Sequence, residues 1–308
     1  MDKYKENVDH IGICICTYKR PQLLAELLRK LENQNVGGAF QYSVHVVDND
    51  YRSSAEKTVS QFGCEAEVLV TYNIEPIQNI ALARNRAVRC AQGNLIAFLD
   101  DDETPGEEWL LQMFLAFKKF AAAGVLGPVR PCFTSEAPAW LSKSGILNRP
   151  SYSTGTILTY LQARTGNLLF DRQIIRETDI PFPPETGRTG GEDTEFFKTM
   201  MARGHAFIWC EEAPVYETIL PERFKRMYYV RQSLRIGGLS GERHEHQNGG
   251  KWRALLFSGC AALGHGFLSS VGVLLGQGVF MRHFTAMLYH LARITGWLGY
   301  PLIRERRD

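Results

Sequence analysis

The sequence predicts an α/β fold: a Rossmann-like, mostly parallel sheet flanked by helices, followed by an apolar helical C-terminal region. Three observations carry this. Strand-like and helix-like segments alternate over the first hundred residues, the pattern of a parallel sheet with crossover helices. Residues 95–105 read Leu-Ile-Ala-Phe-Leu-Asp-Asp-Asp-Glu-Thr-Pro, a run of buried-strand length that ends in three carboxylates. From Ala254 to Phe280 no residue is charged, apart from any protonated fraction of His265.

The elements follow in order. Ile11–Cys16 is a short β-rich run. Pro21 opens a helix whose leucines, Leu23, Leu24, Leu27, Leu28 and Leu31, recur at helical spacing. Tyr42–Val47 is a second strand ending in Asp48-Asn49-Asp50. Ser54–Phe62 fits a helix and Glu67–Thr71 a third strand. Asn79–Cys90 is a helix with Ala81, Leu82, Ala87 and Val88 available for burial, and Gly93 breaks it before the Leu95–Leu99 strand. Trp109–Phe120 is a further helix and Val125–Val129 another strand. Residues 131–155, rich in Pro, Ser and Gly, read as loop. Leu168–Phe170 and Phe207–Cys210 are later strands, with a helix over Asp193–Ala202 between them. Arg223–Ile236 is a helix dense in arginine and aromatics.

A length of 308 residues suits one large α/β domain or two small ones, and we place the boundary at 1–245 and 246–308. The net charge of +2 implies no nucleic-acid partner. Seven cysteines (Cys14, Cys16, Cys64, Cys90, Cys132, Cys210, Cys260) are scattered without zinc-site spacing and read as reduced core residues of a cytosolic protein. Residues 1–7 contain no apolar stretch of the signal-peptide kind.

The apolar C-terminal run is long enough to cross a bilayer, and a second run, Phe284–Ile303, carries Arg293. Lys251 and Arg253 precede the runs, and Arg304, Arg306 and Arg307 follow. Equal basic flanks predict both ends on the cytoplasmic face of the inner membrane, with a turn near Gly276–His283. The expected form is a hairpin, re-entrant or spanning, or two helices lying in the interface. Six glycines between Gly259 and Gly278 argue against an ordinary soluble helix.

The acids Asp100, Asp101 and Asp102 fall at the carboxyl end of their strand, where open α/β sheets bind ligands. Side-by-side like charges call for a positive partner. Oxygen ligands suit Mg²⁺ or Mn²⁺, bound through one or two carboxylates plus substrate phosphates. Asp100 and Asp102 fall on one side of an extended segment and form the natural pair. Thr17, Tyr18 and Arg20 after the first strand offer a hydroxyl, a ring and a cation to a phosphorylated, base-containing ligand. Asp48 and Asp50 offer acceptors for a ribose or a uracil imide, or close a capping turn. Arg84 offers paired donors to a diphosphate, or lies on a solvated helical face.

Ile11–Pro21, Val46–Asp50, Ala83-Arg84-Asn85, Phe98–Pro105 and Gly191-Glu192-Asp193, in this order, resemble the inverting glycosyltransferases of family 2, of GT-A fold. The likeness covers roughly residues 10–240, nearest in look to bacterial exopolysaccharide glucosyltransferases of the succinoglycan type. It implies a UDP-linked sugar donor, with Thr17, Tyr18, Asp48 and Asp50 around the nucleoside and Arg84 near the diphosphate. Asp100 and Asp102 then lie near ribose and metal. It also implies a saccharide acceptor, lipid-linked in polysaccharide assembly, at a membrane surface. In the family the second acid of Glu192-Asp193 is the general base that takes the proton of the attacking hydroxyl. The nucleotide diphosphate leaves from the opposite face, so the anomeric centre inverts. By residue type alone Asp193 reads sooner as a helix N-cap, and the order of the motifs turns that around. Arg223 or Arg226 would steady the leaving group. Glu217 stands where the family often has a metal-binding His. The acceptor region takes in Trp140, Gly166 and Asn167, although plain burial is the commoner fate of a Trp such as Trp140.

Two other readings compete. Asp100-Asp101-Asp102-Glu103-Thr104 fits the pattern of haloacid-dehalogenase-type phosphatases, with Asp100 as nucleophile and Asp102 as acid/base. A membrane scaffold that binds sugar nucleotides without turnover would not need Asp193. A dinucleotide-binding dehydrogenase is set aside because no G-x-G-x-x-G follows the first strand.

Overall fold

A computed structural model of the chain describes residues 8–176, 178, 180–244 and 251–303. The expectation for residues 1–7, and the basic flank at Arg304, Arg306 and Arg307, lie outside the described residues, as does the side chain of Lys251. Contacts divide the chain into two compact units. The first holds Met1–Arg130 and Arg149–Thr218, the second Pro131–Asn148 and Ile219–Asp308.

The first unit opens with β1 (His10–Thr17), α1 (Pro21–Glu32), β2 (Gln41–Asp48), α2 (Glu56–Glu65), β3 (Val70–Ile74), α3 (Ile80–Cys90) and β4 (Leu95–Asp100). A short β5 (Glu103–Pro105), α4 (Trp109–Phe120) and β6 (Gly124–Leu126) follow, and β7 (Val129–Phe133) leads out of the unit. The helical turn α5 (Ala139–Ser142) belongs to the second unit. The chain returns through β8 (Asn167–Asp171), α6 (Glu192–Ala202), β9 (Phe207–Trp209) and β10 (Val215–Ile219). The second unit is completed by α7 (Arg226–His244), α8 (Lys251–Leu275) and α9 (Gln277–Trp297).

Seven strands form the central sheet in the order β3-β2-β1-β4-β8-β6-β9. The first four run parallel, β8 runs antiparallel to both β4 and β6, and β9 is parallel to β6. Alternate residues of each central strand point to opposite faces. Ile11, Ile13, Ile15, Leu95, Ala97 and Leu99 therefore pack with Leu24, Leu27, Leu28 and Leu31 of α1 and with α4. Cys14, Ile96 and Phe98 pack on the other face with α3 and α6. Burial on both faces accounts for the unbroken apolar runs. In a second, smaller sheet β5 pairs antiparallel with β10, setting Glu103 beside Glu217.

Several expectations are corrected. The third strand begins three residues later than expected, at Val70. Val125–Val129 is two strands, β6 and β7, parted at Gly127-Pro128, because proline gives no N–H to a ladder. The 131–155 stretch is not wholly loop: it takes in the end of β7 and all of α5. All seven cysteines are free, but Cys64, Cys132 and Cys260 are exposed and not in the core. Among the described residues α8 alone is long and apolar enough to cross a membrane; α9 is not.

Candidate active site

The strand order reverses between β1 and β4, and such a switch point opens a crevice at the carboxyl edge. There Cys16 lies in register beside Asp100. One residue on, Thr17 donates its hydroxyl to Asp101 Oδ2 at 2.8 Å. Arg20 reaches the same acids, its Nη1 donating to Asp101 Oδ1 at 3.1 Å and Asp102 Oδ2 at 3.2 Å. Between them Lys19 sits at φ +55°, a region non-glycine residues seldom enter and which recurs at functional sites. The Lys19 ammonium lies 4.7 Å from the ring centroid of half-buried Tyr18.

Asp48 ends β2 and is fully buried. Its Oδ2 accepts from the Ala55 amide at 2.7 Å and the Tyr72 hydroxyl at 2.9 Å, and its Oδ1 from the Asp50 amide at 2.9 Å. Asp50 Oδ1 accepts from the Arg52 amide at 3.2 Å. These acids shape the loop between β2 and α2.

Asn79 caps α3, its Oδ1 accepting from the Ala81 and Leu82 amides at 3.0 and 3.2 Å. Arg84, one turn further, is not on a solvated face: it is only 5% exposed. Its Nη1 donates to Glu192 Oε1 at 2.7 Å and Asp193 Oδ1 at 2.5 Å, and its Nη2 to Asp100 Oδ1 at 3.4 Å. Burial works against its charge, but the carboxylates of Asp193, Glu192 and Asp100 outweigh that and hold its pKa above the usual value. One guanidinium thus joins the end of β4 to the start of α6.

Gly190 and Gly191, at φ +90° and +99°, make the turn that delivers Glu192-Asp193, and a side chain at either would be strained. Gly191 is the N-cap residue of α6, so Asp193 is not. Its carboxylate turns instead to Arg84 and to Thr165, which donates Oγ1 to Oδ1 at 2.7 Å and its amide to Oδ2 at 3.3 Å. Glu192 is 8% exposed and its Oε2 has no hydrogen-bond partner among the described residues. Burial, then the Asp193 charge, pushes its pKa up against Arg84.

Because β8 runs antiparallel, its start lies at the carboxyl edge of β4, with Asn167 opposite Leu99. Thr165 and Gly166 immediately precede it. A Cβ on Gly166 would stand 2.6 Å from Glu103 Oε1 and 3.2 Å from Asp100 Oδ2. Asn167 is held within the fold: Oδ1 accepts from Trp109 Nε1 at 2.8 Å, and Nδ2 donates to Pro128 and Ala213 carbonyls at 3.2 and 2.8 Å.

The acids crowd one another. Burial, then Asp100 and Asp101, push Asp102 up to about 7, with Arg20 opposing. Burial, then Asp100 and Asp102, raise Glu103 well above the carboxylate range. The Thr218 amide donates to the Asp102 carbonyl at 2.7 Å, which brings β10 and Glu217 alongside. Arg149 donates Nη2 to Glu217 Oε2 at 2.6 Å. Such a crowd is the donor set a hard divalent cation takes, and added positive charge relieves its repulsion. Among the described residues no group of three or more Asp, Glu, His or Cys is arranged to hold a metal ion.

The structure thus brings together Thr17, Arg20, Arg84, Asp100, Asp101, Asp102, Gly166, Glu192 and Asp193. Trp140, Arg223 and Arg226 belong to the second unit. There Trp140 is buried edge-on to Tyr229, centroids 5.8 Å apart, with the Arg226 guanidinium 5.7 Å from its ring. Arg223 lies over Tyr228 at 5.5 Å. Sequence reasoning passed over Thr165, Glu103 and Arg149. Glu103 was visible as part of the acidic run; nothing local marks the other two.

The profile of glycosyl transferase family 2 matches residues 12–177. The succinoglycan biosynthesis protein ExoM of Rhizobium meliloti (strain 1021) is 33% identical over 303 residues, covering 96% of this chain and 95% of ExoM. The structure is similar to that of S. aureus TarS 1-349 in complex with UDP-GlcNAc, with a TM-score of 0.53 at 15% identity over 95% of this chain and 93% of that one. It is also similar to the mannosyltransferase PcManGT from Pyrobaculum calidifontis in complex with GDP-Man and Mn²⁺, with a TM-score of 0.64 at 14% identity over 94% and 88%. At these identities the two structures speak for the GT-A fold alone. The family match takes in Asp100–Thr104, and these acids follow the fourth strand of the sheet, so the phosphatase reading is not favoured.

Proposed function

The chain belongs to glycosyl transferase family 2, and from that premise we propose that it transfers a hexose from a UDP-sugar to a saccharide acceptor with inversion. The acceptor in this reading is lipid-linked, the product a polysaccharide precursor, and the place the cytoplasmic face of the inner membrane. ExoM, named for succinoglycan biosynthesis and matched along almost its whole length, supports the polysaccharide setting.

The observation that carries the reading is the Arg84 guanidinium, which binds Asp100 and Asp193 at once although 93 positions separate them in sequence. Donor and base functions can then share one crevice. In the reading, Thr17, Tyr18, Asp48 and Asp50 border the nucleoside, directly or by shaping its loop. Arg20 and Arg84 supply positive charge beside the diphosphate. Asp100 and Asp102 would hold Mg²⁺ or Mn²⁺, which when bound neutralises diphosphate charge as it departs. Glu217, already engaged by Arg149, stands nearby as a weaker third candidate.

Among the described residues Asp193 Oδ2 accepts the longer Thr165 amide bond alone, so it is the oxygen open to a sugar hydroxyl. It takes that proton as the hydroxyl oxygen attacks the anomeric carbon, and the UDP oxygen leaves from the opposite side. Glu192 accepts from the same Arg84 Nη1 as Asp193 and so helps fix that guanidinium beside the base. Gly166 keeps the acceptor side of Asp100 open by lacking a side chain.

The test is a screen of UDP-sugars for nucleotide release, with Mn²⁺ or Mg²⁺ and membrane lipid extract as acceptor source. Extract-dependent UDP release with one sugar is the expected result. Phosphate release from phenyl phosphate, or tight UDP binding with no turnover under any acceptor, would overturn it.

A further inference from the structure

The C-terminal helices have an inverted arrangement. In α8 the residues facing α9 are small apart from His265, which pairs with His283: Ser258, Ala262 and Ser269 are buried, and Cβ atoms on Gly266 and Gly272 would meet Met287 and the Phe280 backbone. Its large residues point outward: Leu256, Leu263, Phe267, Val273 and Leu274 are all exposed, Leu274 by 87%. Small residues inward and bulky apolar ones outward is the pattern of a helix solvated by lipid.

Length alone would let α8 cross a bilayer, since 25 residues extend about 37 Å. Its neighbours decide otherwise. α9 lies between α7 and α8, and runs antiparallel to α8. α7 accompanies α9 from end to end. Arg226, first in α7, bonds Gln277, first in α9. Tyr289 donates to Ser240 at 3.1 Å, and Gly241 abuts the Arg293 carbonyl and Trp297 amide. If α8 crossed the membrane, α9 and α7 would cross with it. α7 carries Arg226, Arg231, Arg235 and Glu242, spread along its length, with Arg231 exposed in the second turn. Charged side chains distributed in this way are what a spanning helix avoids. α7 therefore stays on the aqueous side, and the layer α7-α9-α8 stands with α8 outermost.

Charge identifies the surface that α8 meets. From Lys251 to Ile303 the chain contains Lys251, Arg253, Arg282 and Arg293 and no acidic residue. Such a segment is drawn to anionic headgroups.

We propose that α8 lies in the plane of an anionic phospholipid leaflet, with Leu256, Leu263, Phe267 and Leu274 in the acyl boundary, and does not cross it. This rests on the membrane location read above and deepens it into a one-leaflet mode of attachment.

The experiment uses the full chain and sealed vesicles of phosphatidylcholine with or without phosphatidylglycerol. Flotation should require phosphatidylglycerol, and Leu263→Glu with Phe267→Glu should lower it at least about tenfold. A nitroxide is then placed in turn at positions 256, 263, 267 and 274, with exposed Cys64, Cys132 and Cys260 changed to Ser. Depth is read from oxygen against nickel-chelate accessibility. An in-plane helix puts all four labels within about 5 Å of one depth, whereas a spanning helix spreads them over about 27 Å. Flotation with that spread overturns the in-plane mode and leaves the membrane location standing. Failure of the wild-type chain to float overturns both. A soluble dimer that the double Glu variant makes monomeric assigns the face to a second copy instead and overturns the proposal.

Discussion

Thr165 gives Asp193 its hydroxyl at 2.7 Å, while the Thr165 amide holds the other oxygen. Thr165→Val keeps shape and the amide bond but removes the hydroxyl. We expect kcat to fall about 10- to 100-fold, the worth of one hydrogen bond to a charged group, with donor KM little changed. An equal rise in KM would show a general collapse of the site and speak against positioning. Asp102 makes a different prediction, about pH. Its carboxyl is raised to about 7 in the folded chain, against an ordinary value of 3.8. Between those values the folded chain keeps a proton that the unfolded chain has lost, so folded stability falls as pH rises from about 4 to 7. Asp102→Asn cannot ionise and escapes this loss. The variant should therefore gain stability relative to wild type from pH 5 to pH 8, on the order of 2–4 kcal/mol. Mn²⁺ with UDP should cancel the gain by stabilising the wild type. Parallel melting curves at both pH values would contradict the crowding.

Among the elements, β8 shows what a linear sequence conceals. Leu168–Phe170 announces a strand, but nothing in it announces direction. Only the antiparallel pairing with β4 brings Thr165 and Gly166 to the carboxyl edge. Gly166→Ala tests that placement. Its Cβ would meet Glu103 Oε1 at 2.6 Å, so we expect melting to drop by about 2–6 °C and metal-supported UDP affinity to weaken. Unchanged melting and affinity would mean the edge is looser than described. Where a signal was local it was legible. The leucine spacing of α1, the bounds of α4 and the strand-to-aspartate junction at Asp100 follow from periodicity and charge. The start of β3 was not, because apolar Val68 and Leu69 just upstream extend the strand-like run and nothing local marks Val70 as its first residue. The burial of Arg84 was also hidden, since it depends on acids more than a hundred positions away. At Asp193, residue type favoured a cap, and tertiary contact with Arg84 and Thr165 overrode it.

At the scale of the whole molecule, the sequence boundary at 245/246 falls inside the second compact unit. Its helix α7 packs along α9 through Gly237, Gly238 and Gly241, each too close to α9 or Pro301 for easy addition of a side chain. Removing residues 246–308 would bare that glycine face. We therefore expect the truncated chain to leave the membrane fraction but to aggregate, whereas outward-facing Glu substitutions on α8 leave it soluble; a well-behaved, fully active truncation would contradict the packing. The claim above all others is that the carboxyl edge of β4 and the first turn of α6 make one catalytic crevice. Transfer and donor binding measured side by side on Asp193→Asn test it most directly. We predict that acceptor-dependent UDP release falls at least about 1,000-fold while UDP affinity by calorimetry stays within a few-fold of wild type. Retained transfer, with donor affinity lost instead, would contradict it.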